Sequence, residues 1–184
     1  VFPLFASIEA QSYKKEIFDT YVIVKNPNDE VIGYAKDINA YVYVDEEQKN
    51  KGDCLDYCIR HILASGRKYD GYIIVDADCR LDNGFLENMN DAMKTGAKVI
   101  TGRKIAGNYS CGNRGAVNAV TCLNGLIWSI IDELGNRYKS AVGLTTMPIT
   151  TGILICGDLV EEWGGWNYRQ TLTEDMELLR DCAC

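Results

Sequence analysis

The sequence lacks several features that define other classes of protein. It contains no uninterrupted run of about 18 apolar residues, which a membrane-spanning helix requires. Its 184 residues carry a formal net charge of -7 and no basic stripe, so a nucleic-acid partner is not expected. The single histidine, His61, lies among apolar neighbours in a helical pattern and is interpreted as a structural residue. What remains is one domain over residues 1–184 with a core of ordinary size.

Cysteine is frequent, but its spacing does not indicate a metal site. The sequence has eight cysteines. Cys54 and Cys58 are one helical turn apart, and Cys182 and Cys184 form a pair with no matching histidine or second cysteine pair nearby. We therefore expect reduced cysteines that serve as small buried side chains.

Hydrophobic periodicity predicts an alternation of strands and helices. The predicted strands are 21–24, 40–44, 72–75, 99–100 and 150–156, and the predicted helices are 1–10, 29–36, 54–65, 84–95, 116–134 and 173–179. Asp29 is expected to cap the second of these helices. The alternation is typical of an α/β fold with a Rossmann-like, mainly parallel sheet and helices on both faces.

The most informative stretch is the apolar strand at 72–75, which ends abruptly at Asp76 and Asp78. In an open α/β sheet the ligand crevice lies outside the carboxyl ends of the strands. Mg²⁺ binds in such places through one or two carboxylates and the phosphates of the substrate. The stretch therefore predicts a shared site for a metal and a diphosphate. Alone, however, Asp-x-Asp is a weak motif that is also typical of a turn whose acid caps the next helix.

Two other kinds of site would also use Asp76. An EF-hand loop starting at Asp76 fails, because Arg80 and Leu81 stand where an oxygen ligand and a glycine are needed. A phosphatase of the haloacid dehalogenase kind would use Asp76 as its nucleophile and needs Thr or Val at the position of Arg80. Gly157-Asp158 followed by Glu161 keeps that alternative open.

Two further motifs have both a structural and a functional interpretation. Thr173-Glu174-Asp175 is typical of a helix N-cap and first turn, and one of its acids could instead serve as a general base. Lys51 is either a surface residue or a cation aimed at phosphate.

Taken together, the motifs resemble the GT-A glycosyltransferases of family 2, and most closely the branch that includes cellulose and hyaluronan synthases. The resemblance follows one order along nearly the whole chain: Asn50-Lys51-Gly52, Val75 to Asp78, Asp82 to Leu86, Thr151-Gly152, Gly164 to Trp166 and Leu172 to Asp175. It implies inverting, metal-dependent transfer of a sugar from a nucleotide diphosphate sugar, expected to be a UDP-sugar, to a carbohydrate or lipid hydroxyl.

The resemblance also implies a role for each motif residue. Asp78, with Asp76, would bind Mg²⁺ or Mn²⁺ at the diphosphate. Asp175, next to Glu174, would be the catalytic base, and Thr151-Gly152 and Trp166 would line the acceptor side. The expected substrate-binding set is Asp29, Lys51, Asp76, Gly152 and Trp166.

Three departures from the family pattern modify these expectations. Lys25 stands where family members place an Asp that binds uracil, so base recognition stays open. The usual opening strand, which is central in the family, is missing, and the chain ends before a Gln-x-x-Arg-Trp motif and the membrane helices. The resemblance therefore implies a fragment of a longer enzyme at the cytoplasmic face, with a slot beside the 72–75 strand and membrane contact only through segments outside this chain.

Two alternatives to transfer remain. One is a non-catalytic nucleotide-sugar-binding module, for which Lys25 is the main argument. The other is a sugar-phosphate nucleotidylyltransferase, although such enzymes usually carry a glycine-rich, basic N-terminal loop that this sequence does not show.

Overall fold

The structure is a computed structural model that describes residues 1–107, 118–147, 151–169 and 174–182. Its strands are β1 Tyr21–Val24, β2 Tyr41–Val44, β3 Gly71–Ile74, β4 Val99–Thr101 and β5 Ile153–Cys156. Its α-helices are α1 Phe2–Glu9, α2 Val31–Asp37, α3 Lys51–Ala64, α4 Phe85–Met93, α5 Ala119–Ser129, α6 Arg137–Ala141, α7 Gly157–Trp163 and α8 Glu174–Cys182. The predicted N-cap Thr173 lies outside the described residues.

The mixed α/β character that the sequence predicts is confirmed. Strands β1 and β2 form a parallel pair, and a second sheet has the order β3-β5-β4. Strand β5 runs antiparallel to both of its neighbours. The described strands therefore differ from the expected single, mainly parallel sheet. A short run of apolar residues marks each strand but carries no information on its direction or on its place in the sheet, which is why β5 was not anticipated between β3 and β4.

Contacts at the two ends of β1 and β3 show that these strands point the same way. At their amino ends, the hydroxyl groups of Tyr21 and Tyr69 are hydrogen-bonded at 2.7 Å. At the carboxyl end of β3, Asp76 pairs with Lys51, which begins the helix that follows β2. The carboxyl ends of β2 and β3 therefore meet on one side of the protein.

The core surrounds the second sheet. Its buried cluster contains residues from β3, β5, three helices and the loop before α8: Ile59, Ile74, Ile153, Ile155, Val160, Trp166, Tyr168 and Leu178. Full burial of one such apolar side chain contributes about 2 kcal/mol. This cluster packs helices α3, α7 and α8 against the second sheet.

A cavity of about 340 Å³ separates the two sheets. Side chains of β1 and β3 line it from opposite sides, and helices α1, α3 and α4 contribute further apolar walls. The cavity lies beside β3.

The helix predicted at 116–134 is longer and less regular than expected. Helix α5 continues into a π-helical segment, Ile130–Asn136, and then into α6. Asn118 caps α5 by accepting hydrogen bonds from the backbone N–H groups of Val120 and Thr121. In the described part of the chain, no helix has the length and hydropathy needed to cross a membrane.

Candidate active site

The centre of the candidate site is the segment that follows β3. Asp76 forms an ion pair with Lys51, and both side chains are about one third exposed, at 39% and 33%. Lys51 is placed there because Asn50 caps α3: its side-chain oxygen accepts a hydrogen bond from the N–H of Asp53 at 2.8 Å. The site therefore combines a carboxylate, an ammonium group and the positive end of a helix dipole.

Thr151 and Gly152 connect this segment to the start of β5. The backbone N–H of Asp76 donates to Thr151 Oγ1 at 3.1 Å, and the N–H of Gly152 donates to the carbonyl of Ile74 at 2.7 Å. Gly152 has a φ of 68°, a conformation that favours glycine. These bonds hold the backbone of the Ile74 to Asp76 segment against the start of β5.

Asp78 is exposed two residues further on, and its carboxylate accepts a weak hydrogen bond from the Cys79 thiol at 3.8 Å. Among the described residues, no three His, Cys, Asp or Glu side chains come together as a closed metal cage. Two carboxylates are nevertheless the donor set with which Mg²⁺ or Mn²⁺ is held when substrate phosphates complete its coordination. The residues present therefore fit an open metal site of that kind.

Lys25 and Asp29 lie in the segment that follows β1. Asp29 accepts a hydrogen bond from the N–H of Val31, the first residue of α2, at 2.9 Å, but the N-cap position is Glu30, one residue later than predicted, and it makes no side-chain capping bond. Lys25 donates to the carbonyl of Gln48 at 3.0 Å. The position that would carry a base-binding acid thus holds an ammonium group bonded to the backbone of the loop before α3.

Trp166 is fully buried, with 0% exposure, and its ring is part of the core cluster. Its indole N–H donates to the carbonyl of Tyr168 at 3.0 Å, and its backbone N–H donates to Asp56 at 2.9 Å. In this structure the Trp166 side chain therefore anchors the loop before α8 and does not line an open surface.

Asp56 on α3 is the principal residue that the sequence did not single out. It is 5% exposed, and its carboxylate accepts hydrogen bonds from Arg60 Nε at 2.8 and 2.9 Å and from an Arg169 guanidinium N–H at 2.9 Å, besides the N–H of Trp166. These donors satisfy both oxygens of the buried carboxylate. In the sequence, Asp56 is recognisable only as an acid close to the apolar residues Cys58 and Ile59 of α3. Acids in such positions are too common to identify a functional residue.

The first turn of α3 lies directly against the same loop. A Cβ added to Gly52 would lie 2.4 Å from the carbonyl oxygen of Tyr168, so only glycine allows this approach. Lys51 and Gly52 are neighbours, and the turn that presents the Lys51 ammonium group therefore also supports the loop that leads to α8.

The two predicted catalytic acids are at the start of α8. Glu174 is its first residue, and the Asp175 carboxylate is partly exposed and accepts a hydrogen bond from the N–H of Met176 at 3.1 Å. One turn later, Leu178 is fully buried in the cluster that contains Ile74. Helix α8 is thus anchored on the core cluster of the second sheet.

The chain was compared with known proteins. No protein-family model, no curated protein and no solved structure matches it.

Proposed function

We propose that the chain is the catalytic core of an inverting glycosyltransferase with a GT-A-like fold, which uses a divalent cation and a UDP-sugar. The observation that carries the proposal is the arrangement at the end of β3. Lys51, Asp76 and the start of β5 are bonded to one another there, and Asp78 is exposed beside them. The strand order β2-β1 and β3-β5-β4, with a gap between the two groups, supports the same fold.

Asp78 and Asp76 would hold Mg²⁺ or Mn²⁺, and Lys51 would contact a phosphate of the nucleotide. The cation, when bound, neutralises charge that develops on the departing diphosphate. Lys51 adds a second positive charge at the same place, and the dipole of α3 adds a third contribution of the same sign.

Asp175 would act as the general base. Its carboxylate would accept the proton of an acceptor hydroxyl while the hydroxyl oxygen bonds to the anomeric carbon of the sugar. The bond between that carbon and the diphosphate oxygen breaks, and the diphosphate leaves with the electron pair. Attack opposite the leaving group inverts the configuration, and a positioned base of this kind contributes about 10²- to 10⁴-fold to the rate.

The test is calorimetric titration of the chain with UDP and with GDP, each in the presence and absence of Mn²⁺. We expect UDP to bind only with Mn²⁺ and Asp78→Asn to lower that affinity about tenfold or more. Asp91→Asn is the matched control, because Asp91 is an exposed acid on the neighbouring helix α4. A UDP affinity that is unchanged by Mn²⁺ and by Asp78→Asn would overturn the metal assignment and favour the non-catalytic module.

A second measurement addresses the base. In a form of the enzyme that transfers sugar, Asp175→Asn should lower kcat about 100-fold or more while UDP affinity stays unchanged. An unchanged kcat in the Asp175→Asn variant would show that Asp175 is not the general base.

A further inference from the structure

Gly152 joins the ends of two strands, β3 and β4. Both strands run antiparallel to β5, so their carboxyl ends lie at the same edge of the second sheet. The N–H of Gly152 donates to the carbonyl of Ile74, the last residue of β3, at 2.7 Å, and the carbonyl of Gly152 accepts from the N–H of Gly102, the residue after β4, at 2.8 Å. Asp76 lies two residues beyond Ile74, and Lys104 lies two residues beyond Gly102.

The Lys104 side chain is half-buried, and uncharged oxygens hold its ammonium group. The group donates to Thr101 Oγ1 at 3.0 Å and to the carbonyl of Gly102 at 3.1 Å. An ammonium group has three N–H donors, so these two bonds leave one donor for another acceptor. In the described part of the chain, no carboxylate forms an ion pair with Lys104.

Asp132 holds the backbone of Lys104 and not its ammonium group. One carboxylate oxygen of Asp132 accepts a hydrogen bond from the backbone N–H of Lys104 at 2.6 Å, and the other accepts from the side-chain amide of Asn136 at 3.3 Å. Asp132 is buried in the π-helical segment after α5. It therefore fixes the chain at position 104 for any side chain except proline, which has no N–H.

The positive charge of Lys104 is only partly compensated by the protein. Burial lowers the pKa of its ammonium group, because the loss of water disfavours the charge more than the nearby Asp132 and Cys79 favour it. An anion bound to the third N–H would add a charge-assisted hydrogen bond to this group. The influence of Cys79 also shows that Lys104 lies near the acid segment after β3, since Cys79 directly follows Asp78.

Lys51 and Lys104 are expected to serve different substrates. The donor diphosphate is assigned to Lys51 and to the acids after β3, whereas Gly152, which bonds the residue after β4, is assigned to the acceptor side. We propose that Lys104 determines the acceptor specificity by binding an anionic oxygen group, a carboxylate or a phosphate monoester, on the acceptor. The assignment to the acceptor rests on the proposed function, and the anion site itself rests on the contacts of Lys104.

The two kinds of anion share the chemistry that Lys104 recognises. A carboxylate would belong to an acidic sugar of the acceptor, and a phosphate monoester to a phosphorylated acceptor. Either group presents an oxygen that accepts the remaining N–H and also compensates the charge. A neutral sugar offers hydroxyl groups, which accept the N–H but leave the charge uncompensated. We therefore expect an anionic acceptor to bind about tenfold more tightly than its neutral counterpart.

The experiment titrates the complete chain with methyl glucuronide, with methyl phosphate and with uncharged methyl glucoside, and follows the NMR signals of the Gly102 and Lys104 amides. Lys104→Met removes the charge and keeps the aliphatic stem, whereas Lys104→Arg keeps the charge. Lys98→Met is the matched control, because Lys98 is an exposed lysine at the opposite end of β4 that pairs with Asp158. Each variant is also titrated with UDP in the presence of Mn²⁺.

We expect Lys104→Met to lower the affinity for at least one of the two anions about tenfold, and to leave the affinities for the glucoside and for UDP unchanged. The anion whose affinity falls identifies the group on the acceptor. Lys104→Arg and Lys98→Met should retain the affinity for that anion to within about threefold. If Lys104→Met does not fold, Lys104→Gln supplies the same comparison.

Two outcomes would overturn the proposal. Anion affinities that Lys104→Met leaves unchanged would show that Lys104 is a structural residue, even if the variant is less stable. A loss of UDP affinity as large as the loss of anion affinity would place Lys104 at the donor and not at the acceptor. Failure of UDP to bind to the unmodified chain would count against the proposed function alone, because the anion titrations contain neither UDP nor Mn²⁺.

Discussion

Lys51 and Asp76 form an ion pair although they are 25 residues apart in the sequence. One begins α3 and the other follows β3, so the pair connects the first turn of a helix to the end of a strand. It places an ammonium group next to the acids where the diphosphate of a sugar nucleotide is proposed to bind. The relationship gives the first prediction.

Replacing Lys51 by Met should weaken UDP binding in the presence of Mn²⁺ about tenfold, because one cation near the phosphates is lost. The free energy of unfolding should change by less than about 1 kcal/mol, because the pair is partly solvated. Titration calorimetry and urea denaturation measure the two effects. Lys49→Met is the control, since Lys49 is an exposed lysine two residues away; equal affinities for the two variants would contradict the role of Lys51.

Asp56→Ala should destabilise the protein more than Glu161→Ala does. It removes a buried acceptor from two guanidinium groups and from the N–H of Trp166. Because both arginines keep some contact with water, we expect a loss of about 2–3 kcal/mol in the free energy of unfolding. Glu161→Ala breaks an exposed pair with Lys68 and should cost less than about 1 kcal/mol. Equal losses in the free energy of unfolding for the two variants, measured by urea denaturation, would refute the stabilising role of Asp56.

Two glycine-to-alanine substitutions should change stability in opposite directions. Gly52→Ala would force a methyl group against the carbonyl of Tyr168 and should destabilise the protein by about 1–3 kcal/mol. Gly33→Ala lies in α2 with no atom within 4 Å of the added group, and should stabilise by about 0.5–1 kcal/mol. Thermal melts of the two variants test the prediction, and a stabilised Gly52→Ala variant would show that the loop does not approach α3 so closely.

The thiols of α3 make stability depend on alkaline pH. Burial raises the pKa of Cys58 to about 12 and that of Cys54 to about 11. The unfolded chain releases these protons near the ordinary value of about 9, whereas the folded chain retains them, so the stabilisation is complete below pH 9 and is lost as the pH rises. Urea denaturation between pH 8 and 11 should show this decline, and Cys58→Ala should flatten it. Rapid alkylation of Cys58 in the folded chain at pH 8 would contradict the burial.

Local features of the fold follow well from sequence. Tyr21–Val24 is a run of aromatic and β-branched residues bounded by turn formers, and it is a strand as predicted. The left-handed Gly66 and Gly96 mark the carboxyl ends of α3 and α4 within a few residues, whereas α3 begins at Lys51, three residues before the predicted start, with Asn50 as its cap. Each of these signals depends on residues that are neighbours in the sequence, so it can be recognised without the three-dimensional structure.

Contacts between segments that are far apart in the sequence cannot be predicted from such local signals. The insertion of β5 between β3 and β4 depends on pairing energies summed over the whole sheet, and no residue of β5 encodes its direction. The burial of Trp166 depends on Asp56, which is 110 residues away. A Gly-Gly-Trp motif gives no indication that its indole turns inward, because its backbone N–H is held by Asp56 on α3 and its indole N–H by the carbonyl of Tyr168.

The gap between β1 and β3 also has a thermodynamic consequence. No backbone hydrogen bond joins these strands in the described part of the chain, so the two sheets are connected through side chains, among them the Tyr21 and Tyr69 hydroxyl pair and those of the surrounding helices. Heat should therefore melt the β1–β2 half before the β3–β5–β4 half, in a broad endotherm whose van't Hoff enthalpy falls below the calorimetric enthalpy.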